Sequence, residues 1–89
     1  MKRSIPEQDP LHPAFQQFTR ALRQRIIELR HQHGLTQEDM QQFGLSLRQY
    51  QRIESGETEN ITLANLYRIA SAFNQPISDL LNLPVGDSE

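Results

Sequence analysis

The sequence predicts an all-α fold, a bundle of five helices in one small domain, on three observations. Apolar residues recur at steps of three and four between residues 13 and 33 and again between 62 and 73. Glycine, proline, asparagine and capping hydroxyls punctuate the chain between these stretches. No alternation of apolar and polar residues marks a strand, and neither an internal repeat nor a low-complexity run is present.

Residues 1–12 carry Pro6 and Pro10 and show no apolar period, so they are expected to form a flexible arm, whose Lys2 and Arg3 could reach a phosphate or a minor groove. From residue 13 a long helix is expected through 33, with Phe15, Phe18, Leu22, Ile26 and Leu29 on one face and Ile27 off it, exposed. Arg30, His31 and His33 suit the negative end of its dipole, and Gly34 stops it. His31 and His33 lie two residues apart and so point to different faces, with no acid or cysteine cluster beside them; no metal is expected.

Residues 36–56 read TQEDMQQFGLSLRQYQRIESG, two short helical patterns around a glycine-containing turn. Thr36 is placed to cap the first, with Asp39 three residues on as a weaker capping-box partner. Gly44 suits the exit, because glycine enters the left-handed region without a Cβ penalty. Ser46 caps the second helix, with Gln49 at its third position, and Gly56 closes it. Two helices of about two turns joined in this way form a helix-turn-helix, the DNA-binding version of which lays its second helix in the major groove. At about 100° per residue, Leu47, Tyr50, Ile53 and Glu54 share one face of that second helix. Arg48, Arg52 and Ser55 centre on the opposite face, flanked by Gln49 and Gln51. Arginine forks match guanine O6 and N7, glutamine matches adenine, and all of them suit phosphate; a plain solvated polar face is the alternative from the angles alone.

A polar loop, residues 57–61, leads to a helix capped by Thr62 and running to about Phe73, with Leu63, Leu66, Ile69, Ala70 and Phe73 as its buried stripe and Tyr67 on the flank. Asn74 suits a left-handed stop and Pro76 forbids continuation. Ser78 is expected to cap a short last helix through about Leu83, in which Leu80 and Leu81, with Ile77 just before, are apolar; residues 84–89 form a tail. The expected division is thus an arm (1–12), one domain (13–83) and a tail.

Composition narrows the function. An 89-residue chain buries only about 60% of its unfolded surface, leaving little room for an enclosed active site. With no cysteine there is neither a disulfide nor a thiol nucleophile, which fits a cytoplasmic protein, and no stretch reaches the apolar length of a membrane span. No glycine-rich phosphate cradle and no convincing histidine and carboxylate cluster points to an enzyme, so no catalytic residue and no cofactor are expected. The formal net charge of −2 opposes nucleic-acid binding, but its distribution does not. Residues 20–52 hold six arginines against three acids, whereas residues 53–89 hold Arg68 against six acids.

The ordered set Leu35-Thr36-Gln37-Glu38-Asp39-Met40, Gly44-Leu45-Ser46, Arg52-Ile53-Glu54-Ser55-Gly56, Leu66, Ile69-Ala70, Phe73 and Leu80-Leu81 resembles the phage repressor and Cro type of helix-turn-helix, the XRE family. The resemblance covers about residues 22–83 and implies a repressor-like five-helix bundle whose first helix is here extended at its N-terminus. It implies that Gln37 contacts a DNA phosphate, that Leu47, Arg48, Gln51 and Arg52 approach base edges, and that Ser55 approaches the backbone. It also implies a salt bridge between Arg30 and Glu54, which accounts for a glutamate on the inward face. The candidate DNA-contact set is therefore Gln37, Ser46, Leu47, Arg48, Gln49, Gln51, Arg52, Ser55 and Asn60. Three features depart from the family. One residue fewer separates Gln37 from Gly44, with Phe43 and Tyr50 available to fill the space. The loop after the second motif helix carries Glu57 and Glu59 where basic residues are usual, leaving Asn60, Thr62 or main-chain amides for phosphate. Leu47 is apolar at a usual base-reading position, able to touch a thymine methyl or to pack.

The expected function is a sequence-specific transcriptional regulator that binds a two-fold site on double-stranded DNA as a homodimer, with Phe15 and Phe18 or the region of Tyr67 and the last helix as dimer contacts. The alternative is an antitoxin or adaptor that uses the same domain mainly to hold a protein partner.

Overall fold

Residues 5–83 are described by a computed structural model, in which five helices and no strand are present among those residues. Lys2 and Arg3 and the expected tail, residues 84–89, lie outside the described residues. Helix α1 spans His12–Gln32, one residue earlier at each end than the apolar period suggests. Its start is set by hydrogen bonds from the turn before it. Asp9 accepts from the Leu11 N–H through Oδ1 at 2.9 Å and from the His12 N–H through its carbonyl at 2.9 Å, and Pro13 follows, where its missing N–H costs nothing. His12 is buried, and its Nδ1 donates to the Ile5 carbonyl at 3.1 Å.

The C-terminus of α1 closes in a Schellman arrangement: the Gly34 N–H reaches the His31 carbonyl and the Leu35 N–H the Arg30 carbonyl, with Gly34 at φ 67°. Helix α3 (Leu63–Ala72) ends in the same way, with Asn74 at φ 55° and the Gln75 N–H bonded to the Ala70 carbonyl. Both stops were legible as Gly34 and Asn74.

The first motif helix differs in kind from the expectation. It is a 3₁₀-helix, η1 (Glu38–Phe43), held by bonds to the residue three back rather than four. A 3₁₀-helix rises about 2.0 Å per residue against about 1.5 Å in an α-helix, so a segment one residue short still covers the span. Its capping box forms in both directions, the Asp39 N–H donating to Thr36 Oγ1 at 3.0 Å and the Thr36 N–H to Asp39 Oδ2 at 2.8 Å. Gly44 then turns at φ 89°, where Arg68 of α3 lies against it and donates to the Phe43 carbonyl at 3.3 Å.

Helix α2 (Leu47–Ser55) starts on the Ser46 hydroxyl, which accepts the Gln49 N–H at 3.1 Å, and α3 starts on Thr62, which accepts the Asn65 N–H at 3.1 Å. Helix α4 (Ile77–Leu80) is shorter than expected and is not capped by Ser78. Pro76, with φ fixed near −69°, makes the extended entry two residues earlier.

The core gathers Leu22, Ile26 and Leu29 of α1, Met40 of η1, Leu45 of the turn, Tyr50 and Ile53 of α2, Ile69, Ala70 and Phe73 at α3, and Leu80 of α4. The α1 stripe reaches the core only from Leu22 onward, since Phe15 is half-buried and Phe18 exposed. Two burial expectations are corrected. Leu63 is 71% exposed, lining an open surface groove with Phe43 and Tyr67 instead of joining the core, and Ile27 is half-buried rather than exposed. Among the described residues no helix is long and apolar enough to cross a membrane.

Because Gly44 sits in the left-handed region and a Cβ there would meet the Arg68 guanidinium, Gly44→Ala should cost at least about 1 to 2 kcal/mol in urea unfolding; Gly44→Asn should recover the backbone part of that cost, but not the part that comes from displacing Arg68 from the Phe43 carbonyl.

Candidate nucleic-acid interface

The site is built from the inside outward. Tyr50 and Ile53 bury the inner face of α2, and the same face carries Glu54, whose side chain is 7% exposed. A carboxylate so placed demands donors, and three elements supply them. Arg30 of α1 donates from Nε to Glu54 Oε2 at 2.6 Å and from Nη2 to Oε1 at 3.2 Å. Tyr50, one turn back on α2, donates its hydroxyl to Oε2, and Gln37, at the start of η1, donates from Nε2 to Oε1 at 2.9 Å. Four donors meet two oxygens, which uses the acceptor capacity of the carboxylate. Arg30 is itself fixed, because its Nη1 donates to the Leu35 carbonyl at 2.8 Å and its Nη2 faces His31 Nε2 at 3.2 Å. The ring of His33 turns elsewhere, stacking on Phe73 at 5.6 Å between centroids.

Electrostatics follow from these contacts. Burial pushes the Glu54 pKa up, but the hydrogen bonds from Arg30, Tyr50 and Gln37 outweigh it, and the carboxyl titrates below its ordinary range. Burial first, then the bond to Glu54, raises the Tyr50 hydroxyl well above its ordinary value. The hydrogen bond to Glu54 raises the Arg30 guanidinium further, against the opposing effect of burial.

With that face held inward, α2 turns Arg48, Gln49, Gln51, Arg52 and Ser55 outward, all exposed, while Leu47 is half-buried. Arg52 is steadied by Glu57, Nε to Oε2 at 3.5 Å, so the acidic loop neutralises part of this arginine. The Ser46 hydroxyl is engaged in its cap, and the Ser55 hydroxyl donates to the Arg52 carbonyl at 3.2 Å while accepting from the Glu57 N–H. Asn60 is exposed in the loop beyond. Gln51 donates from Nε2 to Gln37 Oε1 at 3.3 Å, which joins two of the expected contact residues directly.

Two participants escaped the sequence reading. The Tyr50 hydroxyl was signalled by its spacing of four from Glu54 on one helix face, which places the two side chains together. Arg23 of α1 lies against Gly56, so close that a Cβ there would collide with its guanidinium; nothing local in the sequence joins these residues, 33 positions apart.

Removing Arg30 while Glu54 remains leaves a buried charge short of two donors, so Arg30→Met should cost about 3 to 5 kcal/mol at neutral pH. Because the Glu54 pKa is lowered on folding, its contribution is present above the ordinary carboxylate range and is lost as pH falls through its own depressed pKa. Denaturant unfolding across pH 2 to 7, a range of roughly the carboxylate titration, should show a shallower acid limb for Glu54→Gln than for the unaltered chain.

Comparison with known proteins places these elements in a family. A family model described as helix-turn-helix matches residues 26–80, from the middle of α1 through α4 and so more than half of the chain. Neither curated proteins nor solved structures gave a match. With η1 and α2 joined through a turn at Gly44, and with the repressor and Cro residues in order from Leu35 to Leu81, the chain belongs to the helix-turn-helix family, as a DNA-binding domain of the XRE type.

Proposed function

We propose that this protein is a sequence-specific transcriptional regulator whose α2 enters the major groove of double-stranded DNA. The observation that carries the reading is the division of α2 into an inner face bonded through Glu54 and an outer face bearing two exposed arginines and two exposed glutamines. Arg48 and Arg52 recognise base edges, Gln51 and Gln49 border them, and Leu47 contributes its exposed part to apolar contact with a thymine methyl. Gln37, Ser46, Ser55 and Asn60 lie at the margins, suited to phosphate and sugar. The bond from Arg52 to Glu57 moderates affinity, which favours selectivity over strong general attraction to phosphate.

One such module touches few bases, so the chain acts as a homodimer on half-sites about 34 Å apart. Support for a protein-contact surface comes from α3, where Leu63 and Tyr67 are 71% and 67% exposed and border an open apolar groove of about 750 Å³ that includes Phe43 and Ile77. No residue of α2 lines that groove, so it leaves the reading face free. A second copy of the chain fits this role under the regulator reading. An antitoxin or adaptor would use the same groove for a different protein, and stoichiometric co-purification of such a partner from native cells would favour that alternative.

Selection of bound DNA from a random pool at two salt concentrations should return a discrete site with two-fold symmetry. Arg48→Ala and Arg52→Ala should each cost about 1 to 3 kcal/mol and relax preference at one base position; binding that is salt-sensitive but blind to sequence would count against the reading. Leu63→Glu with Tyr67→Glu should shift the protein toward monomer in light scattering and weaken operator binding while leaving the helical circular dichroism intact.

A further inference from the structure

Glu57 and Glu59 occupy the loop that leaves α2, and no lysine or arginine stands between Gly56 and Leu63. A phosphate approaching the end of α2 therefore meets carboxylates from the loop itself. Positive charge reaches the same place from another element. Arg23 of α1 lays its guanidinium over Gly56, where a Cβ would lie 2.8 Å from Nη1 and 2.9 Å from Cζ. Gly56, at φ 85°, thus serves twice: it ends α2 in the left-handed region and leaves the space in which the arginine head rests.

An arginine at the C-terminus of a helix commonly bonds its last carbonyls. Here the chain itself supplies those bonds, from the Gly56 N–H to the Ile53 carbonyl and from the Thr58 N–H to the Arg52 carbonyl, both at 3.3 Å. Arg25, Arg30, Arg52 and Arg68 each hold a carbonyl or a carboxylate. Arg23, among the described residues, makes no hydrogen bond and no ion pair, and none of its nitrogens is buried without a partner, so its donors face water. A guanidinium placed by packing with its donors free has the fork that matches two phosphate oxygens, and it loses little further freedom on binding them.

We propose that Arg23 is a DNA-backbone contact supplied by α1: seated on Gly56, its guanidinium binds the phosphate beyond the C-terminal end of α2 and offsets the acids of the following loop. The inference rests on the major-groove role of α2 proposed above and adds to it a contact from outside the two motif helices. With nine residues α2 is about 14 Å long, against a groove about 12 Å wide. Crossing it with Arg48 and Arg52 on base edges, α2 brings its last turn, and Gly56 with it, up to one phosphate wall. Arg30, seven residues after Arg23 and so on the same face of α1, binds Glu54. The two arginines then fix α1 along α2, one through the protein and one through the DNA. Because a phosphate carries no base information, Arg23 strengthens binding to every sequence alike.

The test measures binding of the full chain to an operator obtained by selection, and to base-pair variants of it, over a series of salt concentrations. The proteins are the unaltered chain, Arg23→Gln, Arg23→Lys and Arg20→Gln, with urea unfolding of each. Arg23→Gln should weaken binding by roughly tenfold on all sequences, the order of one charge-assisted hydrogen bond. It should also lower the slope of log K against log salt by about one. Arg23→Lys keeps the charge without the fork and should retain the slope while losing part of the affinity. Arg20→Gln removes the same charge from an exposed position of α1 and should change both quantities much less. An Arg23→Gln protein that is less stable yet binds with unchanged slope would overturn the proposal, leaving Arg23 a purely structural arginine. Equal losses from Arg20→Gln, which would mean a general field in place of a contact, would overturn it too. So would a loss confined to particular base pairs, or failure of Arg23→Gln to fold. If the unaltered chain selects no operator, the reading role of α2 fails first and this inference falls with it, an outcome distinct from the others.

Discussion

A carboxylate on the inner face of a short helix is the constraint on which this structure turns. Stripped of water, Glu54 would cost several kcal/mol unless every lone pair found a donor. The donors come from α1, from η1 and from α2 itself, so satisfying one side chain fixes the mutual placement of three elements. Ion pairs of this kind are often no more stabilising than well-packed apolar replacements. The consequence of this one is geometric: it specifies how α2 is rotated and therefore which side chains face outward. Hydrophobic contact alone would leave that rotation less defined, because Tyr50 and Ile53 give α2 a narrow apolar face.

Around this centre the chain resolves a conflict between length and span. The segment from Gln37 to Gly44 is one residue short for its family, and 3₁₀ winding stretches it to cover the distance. Gly44 and the Arg68 guanidinium then share the space at the turn, while Arg23 covers Gly56 at the far end of α2. The turn before α2 and the exit after it are therefore both bordered by arginines from neighbouring helices. These charges lie near the face of α2 that we propose meets DNA, although the chain carries a net charge of −2.

Much of this was legible because its causes are local. Caps at Thr36, Ser46 and Thr62, and stops at Gly34, Gly44, Gly56 and Asn74, follow from the chemistry of single residues and their neighbours three places away. The all-α architecture and the rotation of α2 follow from period and angle. The departures have non-local causes. Six residues are too few for the apolar period to separate 3₁₀ from α, so η1 read as an ordinary helix. Leu63 lies on the inward stripe of α3, but a stripe tells which way a residue points and not whether another element lies opposite. Pro76 displaced Ser78 as the entry to α4, its carbonyl accepting the Asp79 and Leu80 N–H groups, although both residues suit a helix start. The link between Gln37 and Gln51 joins residues 14 positions apart and arises only once Glu54 has fixed the first of them.

The most direct test of the central claim is a titration of the isotopically labelled protein with its selected operator, followed by backbone and side-chain amide chemical shifts. The account predicts the largest changes at Arg48, Gln51 and Arg52 and at the side-chain amides of Gln37 and Gln51, with little change at Leu63 and Tyr67 beyond any dimer contact. Changes centred on the α3 groove, with the outer face of α2 left unperturbed, would contradict it.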